Sequence, residues 1–259
     1  MTAAAQYLQQ DQPDGVPPLA LTGERTLPDV PAENYWYRRH LAVYEWIAAR
    51  VRGQRVVDLA CGEGYGSAVL AGSAASVIGV DANPEAFEHA RLRYTAPNLS
   101  FARELIETFT APADAVVFLQ TIEHVQDPDA ILEHCRALVA DGLAPAVYVS
   151  TPNLLTLAGP GAEKSENPWH VKEYRAQEFR ELCAAHFVCV ELYGLYHARK
   201  LALHAFALER LRWDDVHARL GITRPFYDRF TPAIRASDFA LRTDRDLDTA
   251  LDFIAVCRP

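Results

Sequence analysis

The sequence predicts an α/β protein built on a parallel, doubly wound sheet with seven strand candidates, and three observations carry that reading. Short apolar runs alternate with helical stretches from residue 55 onward, the order that puts helices on both faces of a sheet. Most of the runs are apolar on consecutive positions, as strands covered on both sides must be. The first run leads straight into a glycine-rich turn, Gly62-Glu63-Gly64-Tyr65-Gly66, and a helix follows.

Residues 1–32 contain Pro13, Pro17, Pro18, Pro28 and Pro31 with little periodicity, so they read as an extended leader. From Glu33 to Arg50, Tyr37, Leu41, Tyr44 and Ala48, with Val43 and Ile47, recur at helical spacing, and Gly53 ends that amphipathic helix. Strands are expected over Arg55–Leu59, Ser76–Asp81, Leu99–Ala102, Asp114–Leu119 and Ala144–Ser150. Helices are expected near Tyr65–Ala71, Pro84–Tyr94 and Pro128–Ala140. Pro84 and Pro128 stand where a first helical turn tolerates proline, behind Asn83 and Asp127 as N-caps. A helix over Ala176–Ala185 precedes two more strand candidates, Phe187–Leu195 and Leu251–Cys257. The segment between those two is too long for a structureless loop, so Arg199–Leu220 is expected to be helical. The chain thus divides into a leader (1–32), a core (33–198), a helical insertion (199–240) and a return to the core with the last strand (241–259).

Charge narrows the function. With 25 Lys+Arg against 34 Asp+Glu the net charge is −9, which disfavours nucleic acid and anionic membranes as partners, since both need clustered cations. Met1 to Gln12 holds no Lys or Arg and no long apolar stretch, so no secretory signal is expected. No run of eighteen apolar residues occurs, and the five scattered cysteines lack zinc-site spacing. A cytoplasmic protein with reduced thiols is the expectation, and oligomeric state is not legible.

The informative segment is Val56-Val57-Asp58-Leu59-Ala60-Cys61-Gly62-Glu63-Gly64-Tyr65-Gly66. Glycines at a strand-to-helix turn let backbone approach a ligand closely, and the helix N-terminus adds amide donors. A second strand ends in Gly79-Val80-Asp81, where a carboxylate can accept from both ribose hydroxyls of an adenosine. A dinucleotide site would read GxGxxG. Here the spacing is GxGxG with Asp58 before it, a carboxylate better suited to the ammonium and sulfonium of S-adenosylmethionine than to a pyrophosphate. At these residues the chain resembles the class I S-adenosylmethionine-dependent methyltransferases, with their Rossmann-like sheet, over roughly Glu33 to Phe187 plus the last strand. The resemblance implies that Asp58, Ala60, Gly62, Gly64 and Gly66 form the cofactor loop and that Asp81 takes the ribose. It also implies that Ala82, Glu104 and Leu105 lie about adenine, and that Gln120 lines the methionine portion. Leu21-Thr22-Gly23-Glu24-Arg25-Thr26, Glu33 to His40, and Asp244 to Asp248 resemble more narrowly a mycobacterial branch associated with methylglucose lipopolysaccharide genes. That implies a carbohydrate acceptor.

Methyl transfer to a hydroxyl needs the acceptor held in line and its proton removed. His124, in Gln120-Thr121-Ile122-Glu123-His124, follows the fourth strand. His170, in Asn167-Pro168-Trp169-His170, follows the fifth. Both emerge from carboxyl ends of neighbouring strands and are expected to flank the acceptor, one as base, with Glu123 orienting the pair. The other histidines, His40 among them, read as structural. Glu123, His124 and His170 also resemble the metal-binding part of some methyltransferases, which makes Mg²⁺ a candidate; Gln120 in place of a glutamate weakens the charge of such a site. The leading expectation is O-methylation of a sugar or oligosaccharide hydroxyl. Methylation of a quinone, phenol or amine is the alternative within the class. A nicotinamide-dependent oxidoreductase would want GxGxxG and a usable Tyr-x-x-x-Lys, whereas the pair present, Tyr196 and Lys200, lies far downstream. A non-catalytic binder of S-adenosylmethionine stays open.

Overall fold

The computed structural model describes residues 8–22, 25–142, 144–158 and 161–259. The first seven residues of the leader, and Gly23 and Glu24 of the narrower resemblance, lie outside the described residues. The strands are β1 (Arg55–Leu59), β2 (Ser76–Val80), β3 (Leu99–Ala102), β4 (Ala115–Leu119), β5 (Ala146–Pro152), β6 (Cys189–His197), β7 (Phe239–Arg242) and β8 (Asp252–Arg258). The helices are α1 (Asn34–Ala48), α2 (Tyr65–Ala71), α3 (Pro84–Arg93), α4 (Pro128–Leu138), α5 (Leu154–Leu157), α6 (Ala176–Ala184), α7 (Arg199–Leu211), α8 (Trp213–Leu220) and α9 (Thr223–Phe230).

The eight strands form one sheet in the order β3-β2-β1-β4-β5-β8-β6-β7. The first five are parallel, with Val57 opposite both Ile78 and Val116. The last strand, β8, enters antiparallel between β5 and β6, and β7 closes the edge antiparallel to β6. The sequence reading differs here in two respects: the sheet is mixed on one side, and it has an eighth strand. Four residues long, with its last position exposed, β7 lacks the all-apolar run that marks the inner strands.

Alternation inside the strands builds a core on each face. Val57, Leu59, Val116, Phe118, Val147 and Val149 pack with Ile131, Leu132 and Cys135 of α4 and Phe179 and Cys183 of α6. Val56, Ala115, Val117, Ala146 and Tyr148 pack with Leu41, Tyr44 and Ile47 of α1 and Leu70 of α2. Asn83 and Asp127 cap as their positions predict: Asn83 Oδ1 accepts from the amides of Glu85 (2.9 Å) and Ala86 (3.0 Å), and Asp127 Oδ1 from Ala130 (3.0 Å).

The long segment before β8 is three helices. Arg212, left-handed at φ 50°, breaks α7 from α8. This unit docks on the start of α1, where Asn34 Nδ2 donates to the carbonyls of Thr231 (2.8 Å) and Ile234 (3.1 Å), and Leu201, Ile234 and Ala236 join the α1-side core. The described part of the leader is packed rather than projecting. Leu19, Leu27 and Val30 form their own buried cluster, and Gln9 is buried, its Oε1 accepting from the Leu19 amide at 3.1 Å.

Candidate active site

The carboxyl ends of β1, β2, β4 and β5 open into a cavity of about 690 Å³, a size usual for small-molecule sites. Its floor is strained backbone. Ala60 at the tip of β1 and Gln120 at the tip of the neighbouring β4 are left-handed, at φ 56° and 51°, and such non-glycine residues persist where the surroundings over-determine them. Gln120 is held by Ser150 of β5: its amide donates to the Ser150 carbonyl at 3.1 Å, and its side-chain Nε2 to Ser150 Oγ at 3.0 Å.

The glycines divide the work of the loop. Gly62 (φ 56°) lines the cavity and has open space where a Cβ would stand. Its amide donates to Asp81 Oδ2 at 2.8 Å, while Asp81 Oδ1 accepts from the Asn83 amide at 2.9 Å. Asp81 also lines the cavity, and each carboxylate oxygen keeps a second lone pair for a ligand hydroxyl. Gly64 and Gly66 do not line it. A Cβ on Gly64 would stand 2.7 Å from the Ala90 Cβ, and one on Gly66 2.1 Å from Tyr44 Cζ, so these two glycines serve helix packing under the loop.

Asp58 also sits beneath the loop rather than on its surface. It is fully buried, accepts from Ser67 Oγ at 2.6 Å and Tyr44 OH at 3.2 Å, and does not line the cavity. Asp58, expected to meet a ligand cation directly or through water, lies behind the cavity lining and ties the start of α2 to α1. Burial pushes its carboxyl up to about 7 against the lowering effect of those two bonds. Ala82, Glu104 and Leu105 are exposed and lie outside the cavity lining.

Glu63, between the loop glycines, ties the leader down. It is buried and accepts from Gln9 Nε2 (3.2 Å), from Tyr94 OH (2.8 Å) and from the Tyr65 amide (3.1 Å). The buried His89 bridges Glu63 Oε1 (2.9 Å) and the Pro17 carbonyl (2.7 Å). The strap so held brings Arg25 and Thr26 to the cavity, and Thr26 Oγ1 bonds both His40 Nδ1 (3.1 Å) and Tyr65 OH (3.0 Å). His40, taken from sequence as structural, lines the cavity, and burial pushes it down to about 4. Glu33, just before α1, and Trp36 and Arg39 of α1 also line it. Tyr37 and Arg38 turn away, toward a second cavity of about 610 Å³ behind the strap.

His124 and His170 meet at the opposite wall. Their rings lie edge to face with centroids 4.9 Å apart, and both line the cavity with Asn167 and Trp169. His124 Nδ1 donates to the Trp169 carbonyl at 3.0 Å, which places the lone pair on Nε2. His170 Nδ1 donates to Glu173 Oε1 at 2.6 Å, and its Nε2 accepts from Asn167 Nδ2 at 2.9 Å. The carboxylate that orients His170 is thus Glu173, which sequence reading missed. Burial alone would raise Glu173, but the bonds from Ser165 and His170 outweigh it and hold the carboxyl below its ordinary range. The backbone of Glu123 locks the two segments together, its carbonyl accepting from the amides of Val171 (2.7 Å) and Lys172 (3.1 Å).

The Glu123 carboxyl itself is buried, its Oε2 has no hydrogen-bond partner among the described residues, and burial pushes it up to about 8. The folded chain keeps this proton to about pH 8, the unfolded chain only to its ordinary value of 4.5. The folded state therefore holds more protons between those values, and stability declines as pH rises through the window. Glu123→Gln is expected to flatten that decline in a series of melting temperatures from pH 5 to 8; an unchanged slope would place the ionisable load elsewhere.

Residues 35–201 match the family model described as a methyltransferase domain. A probable S-adenosylmethionine-dependent methyltransferase of Mycobacterium tuberculosis is 37% identical over 251 residues, covering 92% of this chain and 89% of that protein. The chain belongs to the S-adenosylmethionine-dependent methyltransferases. A second relative described in the same words, from Mycolicibacterium smegmatis, is 35% identical over 94% of this chain and 97% of its own length. Among solved structures, a possible histamine N-methyltransferase from Thermotoga maritima shares the fold, with a TM-score of 0.57 at 12% identity over 88% of this methyltransferase and 93% of that chain. The family names the cofactor, and the open glycine cradle at Gly62 beside Asp81 fits it.

Proposed function

We propose that this methyltransferase methylates a hydroxyl of a sugar or oligosaccharide. The observation that carries the reading is the pair of tryptophans on the cavity wall: Trp36 and Trp169 are 38% and 49% exposed. An aromatic face that stays open beside hydroxyl-bonding groups such as Asn167, Thr121 and Glu33 suits the apolar face of a sugar ring.

When bound, S-adenosylmethionine supplies an electrophilic methyl group on a sulfonium that departs as a neutral thioether. The residues do the rest. Asp81 accepts from the ribose hydroxyls, Gly62 and Ala60 allow close backbone approach, and Gln120 borders the methionine portion. Ala82, Glu104 and Leu105 are assigned to the adenine end, on the open surface beyond the cavity. His124 Nε2 would take the proton of an acceptor hydroxyl held against the methyl group that the bound cofactor would supply. His170, held from both nitrogens, positions the acceptor and packs the His124 ring. The donor set of Glu123, His124 and His170, whose ligand atoms lie within 4.8 Å of one another, does not suit Mg²⁺. That ion takes oxygen ligands in strict octahedral geometry, and here two of three donors are imidazoles, one with both nitrogens already bonded. No step is routed through a metal.

The test is transfer of labelled methyl from S-adenosylmethionine to neutral oligosaccharides, set against phenols and amines. Label on the phenol alone would overturn the sugar reading. Asp81→Ala is expected to cost about 1.5–3 kcal/mol of S-adenosylhomocysteine binding, roughly a ten- to hundred-fold rise in Kd by calorimetry. An unchanged Kd would remove Asp81 from the ribose site.

A further inference from the structure

We infer that the face of α7, with the adjoining turn between α8 and α9, is a docking surface for an anionic lipid membrane. Charge along the chain is not uniform. Residues 199–235 carry eight Lys+Arg against four Asp+Glu, a net +4 within a chain of net −9. The same stretch gathers exposed apolar side chains: five of the thirteen large ones exposed among the described residues fall between Leu203 and Ile222.

On α7 the two features share one face. Leu203, Phe206 and Arg210 follow at spacings of three and four, which aligns them along one side of a helix that the exposed Arg199 opens. Leu203 is 70% and Phe206 54% exposed, while Leu201 on the opposite side is 4% exposed and anchored in the core. The helix is therefore apolar on both sides, and only the inner one is covered. Leu220 (64%) and Ile222 (39%) are also exposed, at the end of α8 and just beyond it. Arg199, Arg210 and Arg219 make no ion pair among the described residues, so their charge is available to a partner.

Apolar side chains bracketed by arginines are what an interfacial helix presents to a bilayer: the apolar tips enter the acyl boundary and the guanidinium groups stay among the phosphates. A second copy fits less well. A two-fold contact through this face would oppose two like-charged surfaces. No helix of the described residues is long and apolar enough to cross a membrane, so the contact would be peripheral. The acidic total, which argues against membranes for the chain as a whole, does not describe this face.

The experiment is flotation of the full chain with vesicles of phosphatidylglycerol or of phosphatidylcholine. The protein is expected to float with the anionic vesicles, to be released at about 0.5 M salt as screening shortens, and to ignore the neutral ones. Arg199→Gln and Arg210→Gln are each expected to weaken partitioning roughly fivefold, and L203D/F206D to abolish it. All four positions are exposed, so melting temperature and S-adenosylhomocysteine affinity should stay as in the parent chain, which certifies the fold. Absence of binding to phosphatidylglycerol, or binding indifferent to L203D/F206D, overturns the inference. A dimer that L203D/F206D splits, without vesicle binding, assigns the face to a second copy and overturns it too.

Discussion

Replacing His124 by alanine is expected to lower turnover by roughly 10²–10⁴-fold, the usual worth of a positioned general base, while S-adenosylhomocysteine affinity stays within a few-fold. The assignment follows from the tautomer that the Trp169 carbonyl fixes on His124. Of the two imidazoles that meet on this side of the cavity, His170 uses Nδ1 on Glu173 and Nε2 on Asn167. His124 fixes its proton on Nδ1 through the Trp169 carbonyl, so Nε2 carries the lone pair that a base requires. His170→Ala should therefore act mainly on acceptor KM, with a smaller loss in kcat. Glu173→Gln keeps a hydrogen-bond acceptor for His170 but removes the charge. Its effect should be small at the pH optimum and visible in the pH profile, a readout that mere loss of packing would not move. EDTA is expected to leave the rate unchanged. Equal turnover in His124→Ala and the parent enzyme would leave positioning alone as the source of catalysis; a larger loss in His170→Ala than in His124→Ala would exchange their roles.

The parts of this site that were legible in the sequence are local in the chain. The β1 run, the glycines after it and Asp81 at the end of β2 are each a strand followed by its own turn, and the parallel pairing of β1 with β2 brings Gly62 within 2.8 Å of Asp81. The two histidine segments were legible for the same reason, since each leaves the carboxyl end of a strand and neighbouring strands deliver both to one edge. What stayed hidden depends on contacts between distant segments. Glu63 reads as one polar residue between glycines, and nothing local says that Gln9, His89 and Tyr94 converge on it. Glu173, three residues past His170, offered an i,i+3 spacing, yet Glu123 offered a nearer carboxylate to the other histidine, and spacing alone does not reveal which carboxylate bonds an imidazole. The glycine pattern likewise could not distinguish the glycine that faces the ligand, Gly62, from the two that make room for Ala90 and Tyr44. The direction and place of β8 are set by which sheet edge remains open after β5 and β6, a property of the assembled sheet.

Arg39 and Asp252 make the contact on which that assembled sheet and the cavity both depend, and removing either side chain is expected to cost about 3–5 kcal/mol. Arg39 Nε donates to Asp252 Oδ2 at 2.7 Å, and Nη2 donates to Oδ1 at 2.5 Å and to the Leu251 carbonyl at 2.7 Å. Both side chains are almost wholly buried, at 5% and 1% exposure. Asp252 opens β8, where it pairs with Pro152 of β5 on one side and Leu195 of β6 on the other. The ion pair therefore fastens α1 to the point where the antiparallel strand enters the parallel sheet. Arg39 also lies under the Trp36 ring, 4.9 Å from its centroid, so the same guanidinium steadies a wall of the cavity. Two charges taken from water gain little over a well-packed apolar pair, but one left alone in the interior is costly. Arg39→Met is accordingly expected to lower the melting temperature by about 10 °C or more, and Asp252→Leu by a similar amount. The double variant Arg39→Met/Asp252→Leu should recover much of either loss, a coupling that a double-mutant cycle reads directly. Strict additivity of the two losses would mean that each residue acts through separate contacts. If the double variant folds with parent stability yet binds acceptor poorly, the pair's remaining role is to hold Trp36 at the cavity wall, because that stacking needs the guanidinium and not merely a filled space.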